Sequence, residues 1–279
     1  KNWSEWRLSK REHDCLFAKT TRCFDKLSMT DIIQRSNKKV FPELFSIGFI
    51  TVYTYGVFVA LGFLAGTYYA ATHSQDVMSK QQVYDFIFYV ILSGLIGARL
   101  LYVVMNFSYY LSKPFEILRI WNGGLVYYGG FFCVLIFAYF YCRNKKFDIF
   151  KLTDIFSPAL ALGHFFGRIG CFFSGCCYGK SSDCFLAIAH KHPTQLYEAF
   201  GNLVIFFILN EVLKSSHKKG YVFVWYIFLY SILRFVVEFF RGDDRGVFMF
   251  GMSPAQNISI VIFLTAVVLL LKKNRSIEV

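Results

Sequence analysis

Charge is what this chain has least of. Only 17% of its 279 residues are Asp, Glu, Lys or Arg, against about 25% for an average soluble domain, so an ordinary water-soluble fold is excluded. Other things are missing too. No short basic start leads into an apolar core, so there is no cleavable leader pattern in what is given. No internal repeat or low-complexity segment occurs. The stretches between apolar runs are too short to hold an inserted soluble domain. No Cys-x-x-Cys pair exists, although the chain has eight cysteines, and that removes the usual spacing of a zinc or dithiol redox site. No basic stretch interleaved with aromatics stands apart from the apolar runs. The net charge of +12 is therefore read as attraction to anionic lipid headgroups, not to nucleic acid.

What is present is apolar length. Hydrophobic residues make up 56% of the chain, with 34 Phe and 18 Tyr, and the mean hydropathy is +0.44. Seven runs approach the ~20 residues that cross a bilayer: 47–71, 86–105, 123–142, 152–173, 195–213, 221–240 and 252–271. The expectation is an all-α polytopic membrane protein with about seven transmembrane helices and short extracytoplasmic connections. A polar tail, 1–40, precedes a single transmembrane domain, 41–279. An odd number of spans puts the termini on opposite sides. With the N-terminus outside, the inner connections carry eleven Lys/Arg and the outer ones six, which favours N-out and C-in. Arg35, Lys38 and Lys39, just before the first run, point the other way.

Residues 167–180, Gly-Arg-Ile-Gly-Cys-Phe-Phe-Ser-Gly-Cys-Cys-Tyr-Gly-Lys, join an apolar run to a polar loop. An arginine at membrane depth costs roughly 2.5–3.5 kcal/mol on insertion scales. Arginine also grips a phosphate through two parallel hydrogen bonds, and glycine lets the backbone approach closely. The stretch reads as an anion site at a membrane surface; the alternative is a helix end with a snorkelling arginine. His164 precedes Arg168 by four residues, which on a helix gives one face, and its ordinary pKa suits proton acceptance near neutrality. Arg234 and Glu238 form another i, i+4 pair, either a self-neutralised insertion device or a second cation held for a substrate phosphate. Arg241, Asp243, Asp244 and Arg245 follow at the membrane edge and read as solvated. Pro193 suits a helix start, with Thr194, Gln195 and Glu198 adding hydrogen-bonding capacity there. Cys171, Cys176, Cys177 and Cys184 with His190 and His192 lack zinc-like spacing, so packing or a disulfide is expected and no metal.

Together these segments resemble the bacterial prolipoprotein diacylglyceryl transferase family over about 41–271. The resemblance rests on Pro42 to Gly48 with Tyr55-Gly56; Gly97-Ala98-Arg99-Leu100; Trp121 to Leu125 with Gly129-Gly130; Gly167 to Gly179; His192 to Glu198; Arg234 to Arg241; and Ser253 to Gln256. It implies a seven-helix inner-membrane enzyme that needs no cofactor. The partners implied are phosphatidylglycerol, the lipobox cysteine of preprolipoprotein signal peptides, and membrane lipids. That cysteine's sulfur would attack the glyceryl carbon bearing the phosphate ester, leaving a thioether and glycerol phosphate.

Catalytic positions implied or read from the residues are Arg168, Arg234, His164 and Glu238. Substrate-binding positions are Arg168, Tyr55, Tyr128, Gly129, Gly179 and Arg99. Three places depart from the family pattern. Tyr128 stands where the family often has histidine, Cys171 where it has asparagine, and Cys176 where it has glutamate. Cysteine-rich forms of the stretch occur among family relatives. With Tyr128 a poor base at neutral pH, His164 is the candidate proton acceptor. Two other classes fit the residues less completely: a membrane thiol–disulfide oxidoreductase, and a phospholipid-binding or transport protein.

Overall fold

The computed structural model describes residues 43–47, 50–119, 123–215, 218–242 and 251–275. The polar tail, the motif residues Pro42, Gly48, Trp121 and Asn122, and the run Asp243, Asp244, Arg245 lie outside the described residues. A β-hairpin comes first, β1 (Glu43–Ile47) antiparallel to β2 (Ile50–Tyr53). Eight helices follow: α1 (Thr54–His73), α2 (Lys80–Met105), α3 (Phe107–Ser112), α4 (Tyr127–Lys145), α5 (Ile149–Phe173), α6 (Thr194–Lys214), α7 (Tyr221–Phe240) and α8 (Pro254–Arg275). A single 3-10 turn, Pro114–Leu118, separates α3 from α4.

The chain is a mostly helical, multi-pass membrane protein, with two departures from the sequence reading. The first apolar run was expected to be helical from residue 47; its opening Ile-Thr-Val-Tyr is β2 instead. Branched and aromatic side chains suit a pleated strand, and β1 supplies the partner. Six helices, all but α3 and α4, are long and apolar enough to cross a bilayer. Helix α4 falls short because tyrosines, two glycines and Arg143 dilute its phenylalanines. Side chains such as Leu64, Tyr68, Phe88, Phe132, Phe207 and Val261 lie exposed on the helix surfaces, as a lipid solvent requires.

The described residues divide into two compact units, 85–146 and the remainder. In the first, α2 and α4 touch through small residues. A Cβ on Gly97 would meet Gly129 O at 2.5 Å, and one on Gly130 would meet Gly94 O at 2.8 Å. The backbones are close enough for Val126 N–H to donate to Ala98 O at 3.0 Å. This is the small-residue contact that lets helices associate without a hydrophobic driving force in lipid. Buried Arg99 then organises the adjoining loop: its guanidinium donates to the carbonyls of Ile117 (2.9 Å), Gly123 (2.8 Å), Gly124 (3.1 Å), Glu116 (2.6 Å) and Arg119 (3.3 Å).

In the second unit α5 is central, packed against α1, α6 and α7. Gly62 and Gly66 of α1 lie over Gly163 and Ala159 of α5, their would-be Cβ atoms 3.1 and 3.2 Å from those carbonyl oxygens. Two aspartates secure the opposite end. Asp148 caps α5 by accepting from Phe150 N–H and Lys151 N–H, and it pairs with Lys219 Nζ at 2.6 Å. Asp154, buried within α5, accepts from Gly220 N–H at 2.5 Å and Phe223 N–H at 2.9 Å. It thus caps α7 from a distant helix, which satisfies donors that a helix start leaves unpaired. Composition alone could not tell this from a charge in transit through the membrane.

Asp154→Ala strands those two amides at about 1–3 kcal/mol for each buried group, so Tm in detergent falls well below wild type. Asp148 behaves differently. Its hydrogen bond from Lys219, with the two amides, holds its carboxyl below the usual range. Its contribution is present above the unfolded carboxylate pKa of about 3.9 and is lost as pH falls through the lowered native value. The small Tm difference between wild type and Asp148→Asn therefore persists at neutral pH and closes on strong acidification.

Candidate active site

Five charged side chains from α5, α6 and α7 meet in the second unit. Arg168 Nη2 lies 2.8 Å from Glu198 Oε1. Arg234 reaches the same carboxylate, Nη1 to Oε2, at 3.6 Å, and also pairs with Glu238 Oε2 through Nη2 at 2.8 Å. Arg241 Nε stands 3.8 Å from Glu238 Oε2. Tyr230 hydroxyl donates to Glu198 Oε1 at 3.4 Å, and Ser253 hydroxyl donates to Glu238 Oε1 at 2.9 Å. Glu198 is the hub. Its side chain is 2% exposed, that of Arg234 11% and that of Arg168 24%, so Arg168 is the open end of the row. Arg234 Nη1 is buried and makes no hydrogen bond among the described residues.

Glu198 and Glu238 each serve two guanidiniums. Arg241 corrects the sequence reading, which put it in solvent: it is 5% exposed. Its backbone explains the burial, because the chain there is woven into the glycine-rich loop. Lys180 N–H donates to Phe240 O at 2.8 Å, Gly242 N–H to Tyr178 O at 3.1 Å, and Gly179 N–H to His192 O at 3.0 Å. A Cβ at Gly179 would lie 2.7 Å from Phe240 O, and one at Gly242 would lie 2.6 Å from Gly179 O. These two glycines are needed so that three backbones can lie side by side. Ser253 and Gln256 cap the start of α8 reciprocally, Ser253 N–H to Gln256 Oε1 at 3.0 Å and Gln256 N–H to Ser253 Oγ at 3.3 Å, a capping box. The same Ser253 thereby steadies Glu238.

His164, Arg168 and Cys171 occupy i, i+4 and i+7 of α5, which is one helix face, and none of the three is buried. His164 Nδ1 shares a 3.2 Å hydrogen bond with Tyr226 hydroxyl, and its ring centroid lies 5.4 Å from that of Tyr230 with the planes tilted by 38°. Tyr55 of α1 packs on Gly170, whose would-be Cβ would be 3.3 Å from its ring. A pocket of about 390 Å³ opens nearby, lined mostly by the apolar side chains of Leu44, Val57, Phe58 and Phe173, with Glu43 and Thr54. Arg168 at an accessible helix face has the chemistry to take an anionic group.

Residues 42–272 match the family described as prolipoprotein diacylglyceryl transferase. The chain belongs to that family. Similar proteins named phosphatidylglycerol–prolipoprotein diacylglyceryl transferase include one from Clostridium tetani, 36% identical over 78% of this chain and 92% of its own length. One from Finegoldia magna is 34% identical over 84% of this chain and 96% of its own. One from Rickettsia bellii is 32% identical over 83% of this chain and 94% of its own.

The residues singled out from the sequence divide between the two units. Arg168, Arg234, Glu238, His164, Tyr55 and Gly179 belong to the second; Arg99, Tyr128 and Gly129 belong to the first. Tyr128 is exposed at the start of α4, Gly129 abuts Gly97, and Arg99 holds its loop. Two features of the candidate site escaped sequence reading. Glu198 was seen only as part of a helix start, although a carboxylate one turn into an apolar helix, in a chain with arginines inside its apolar runs, signals an ion-pair partner. The other is the sulfur cluster: Sγ of Cys171, Cys176 and Cys177 all lie within 4.8 Å of one another, despite a spacing unlike a metal motif.

Breaking a buried ion pair from one side costs roughly 3–5 kcal/mol. Glu198→Gln should therefore lower Tm sharply, since it leaves Arg168 and Arg234 facing each other. Adding Arg168→Leu should return part of the loss in a double-mutant cycle. Unchanged Tm in the single variant would mean that the network contributes nothing to stability.

Proposed function

We propose that this protein transfers the diacylglyceryl group of phosphatidylglycerol to the lipobox cysteine of prolipoproteins at the face of α5 that carries His164 and Arg168. The carrying observation is a row of guanidiniums whose open end is Arg168, with Arg234 Nη1 buried and making no hydrogen bond among the described residues. A phosphodiester headgroup is an acceptor that such donors fit. The family and the names of its relatives support the substrate pair. In this reading Arg168 and Arg234 hold the phosphate, with Glu238 and Glu198 fixing the guanidinium planes. Gly179 and Tyr55 shape the site, and the nearby apolar pocket receives lipid chain. Arg99, with Gly129, keeps the loop before α4 in form, and Tyr128 presents its ring and hydroxyl beside it.

The chemistry follows from charge. As the lipobox sulfur bonds to the glyceryl carbon, the carbon–oxygen bond of the ester breaks and negative charge grows on the departing glycerol phosphate. Preorganised guanidiniums in a water-poor site stabilise that charge. His164 accepts the thiol proton. The proposed setting is the bacterial inner membrane with the N-terminus outside and α4 counted as a seventh span, so that α5 ends and α6 begins on the extracytoplasmic side, where an exported prolipoprotein arrives.

Transfer of labelled phosphatidylglycerol to a lipobox peptide tests this directly. Arg168→Ala and Arg234→Ala each reduce turnover by about 10²–10³-fold, the usual loss for one electrostatic stabiliser. Lysine restores little, because the two-pronged grip is gone. A folded Arg168→Ala protein with wild-type turnover rejects the assignment. His164→Gln reduces turnover by about 10²–10⁴-fold at neutral pH and regains part of it as pH rises toward the ordinary thiol pKa of ~8.5. A flat pH response with wild-type rates makes His164 structural.

A further inference from the structure

The sulfur cluster is the part of this site that charge pairing does not explain; within it Cys176 Sγ–H donates to Cys171 O at 3.7 Å. Cys171 ends the last turns of α5; Cys176 and Cys177 follow in the turn after it. Adjacent side chains on an extended chain point apart, yet here both thiols converge with a third. Backbone geometry accounts for it. Gly175 takes φ 69° and Cys177 takes φ 59°, a left-handed conformation that a non-glycine residue rarely adopts without a constraint. The turn is also held from outside. Buried Gln195 donates to Cys176 O at 2.6 Å and buried Thr194 to Cys177 O at 2.8 Å, both from the first turn of α6. Three sulfurs within 4.8 Å on a backbone fixed in this way form a preorganised donor set.

We infer that Cys171, Cys176 and Cys177 bind one thiophilic divalent ion of the zinc type, whose fourth position is open to an incoming thiol. Soft thiolates select such ions. Tetrahedral bonds of ~2.3 Å put sulfurs roughly 3.8 Å apart, so the thiols need close by no more than about 1 Å from where they stand. Zinc sites closed by four protein ligands are structural, whereas three ligands and an open position mark the reactive kind. All three cysteines are partly exposed, so a fourth ligand can reach the ion. Cys171 lies three residues beyond Arg168 on the same helix, a rise of ~4.5 Å.

This deepens the transferase reading and depends on it only for the identity of the thiol. The lipobox Cys S–H bond breaks as its sulfur binds the ion, and the proton passes through water to His164, two turns away on the same face. The bound thiolate's electron pair then forms the carbon–sulfur bond, and the carbon–oxygen pair leaves with glycerol phosphate. Nothing is oxidised or reduced. The ion takes over activation of the incoming thiol.

The test uses the full chain in detergent, reduced and stripped with a chelator. Titration with Zn²⁺ should show one ion per chain and protect three thiols from alkylation while exposed Cys184 still reacts. Co²⁺ should give thiolate charge-transfer absorption. Cys171→Ser, Cys176→Ser and Cys177→Ser should each weaken binding by at least ~100-fold, and Cys184→Ser should not. A lipobox peptide should shift the Co²⁺ ligand-field bands, and the same peptide with serine for its cysteine should not. Absence of stoichiometric binding, binding that survives Cys171→Ser, or a spectrum indifferent to the peptide thiol each overturns the inference. The variants enter only as comparisons, since wild-type protein alone can fail the first and third criteria. A transfer assay on the same samples separates the two claims: lost ion binding with intact transfer sinks the metal site and leaves the transferase standing.

Discussion

Buried charge that must be paired is the constraint on which this structure depends. An ion taken into a low-dielectric interior loses several kcal/mol of hydration, and only a close partner returns it. Arg168, Arg234 and Arg241 come from apolar helices or their ends, and Glu198 and Glu238 are their partners. Because each carboxylate serves two guanidiniums, α5, α6 and α7 cannot slide or rotate relative to one another without unpairing a charge. The network is therefore a register lock and, in the proposed reading, the surface that meets an anionic headgroup, with Arg168 as its more open end.

Around that lock the backbone has been brought unusually close. Gly179 and Gly242 let the loop after α5 run against the ends of α6 and α7. Gln195 and Thr194 hold the sulfur-bearing turn, and the Ser253–Gln256 cap steadies Glu238. Polar side chains here mostly bond to backbone near helix ends. That is the cheapest way to satisfy donors and acceptors where water is scarce. Asp154 solves the same problem at the other end of α5. The reactive side of the unit is thus assembled from helix termini, where unpaired amides and carbonyls already demand partners.

Much of this was legible beforehand. The seven apolar runs correspond to long helices, six of them long and apolar enough to cross a bilayer, because periodic burial is not needed to recognise a segment long enough for lipid. Arg168 stood out as a charge in an apolar run, and the Arg234–Glu238 pair followed from helical spacing and is observed at 2.8 Å. The hairpin was not legible: Ile50–Tyr53 is as apolar as the helix it adjoins, and only pairing with Glu43–Ile47 distinguishes it. Nor was the burial of Arg241, which depends on backbone hydrogen bonds to residues some sixty positions earlier.

The amino-acid sequence by itself determined that this chain lives in a bilayer, where its helices lie along the chain, and which few charges had to be accounted for. Those are properties of composition and local spacing, set by the cost of leaving water. Only the tertiary structure decided which charge answers which. Glu198 joins Arg168 to Arg234 across three helices, Asp154 caps a distant helix through Gly220, sixty-six residues later, and three cysteines with no recognisable spacing converge through a left-handed turn. Pairing across helices depends on their relative rotation, and packing sets that rotation, not the order of residues along any one of them.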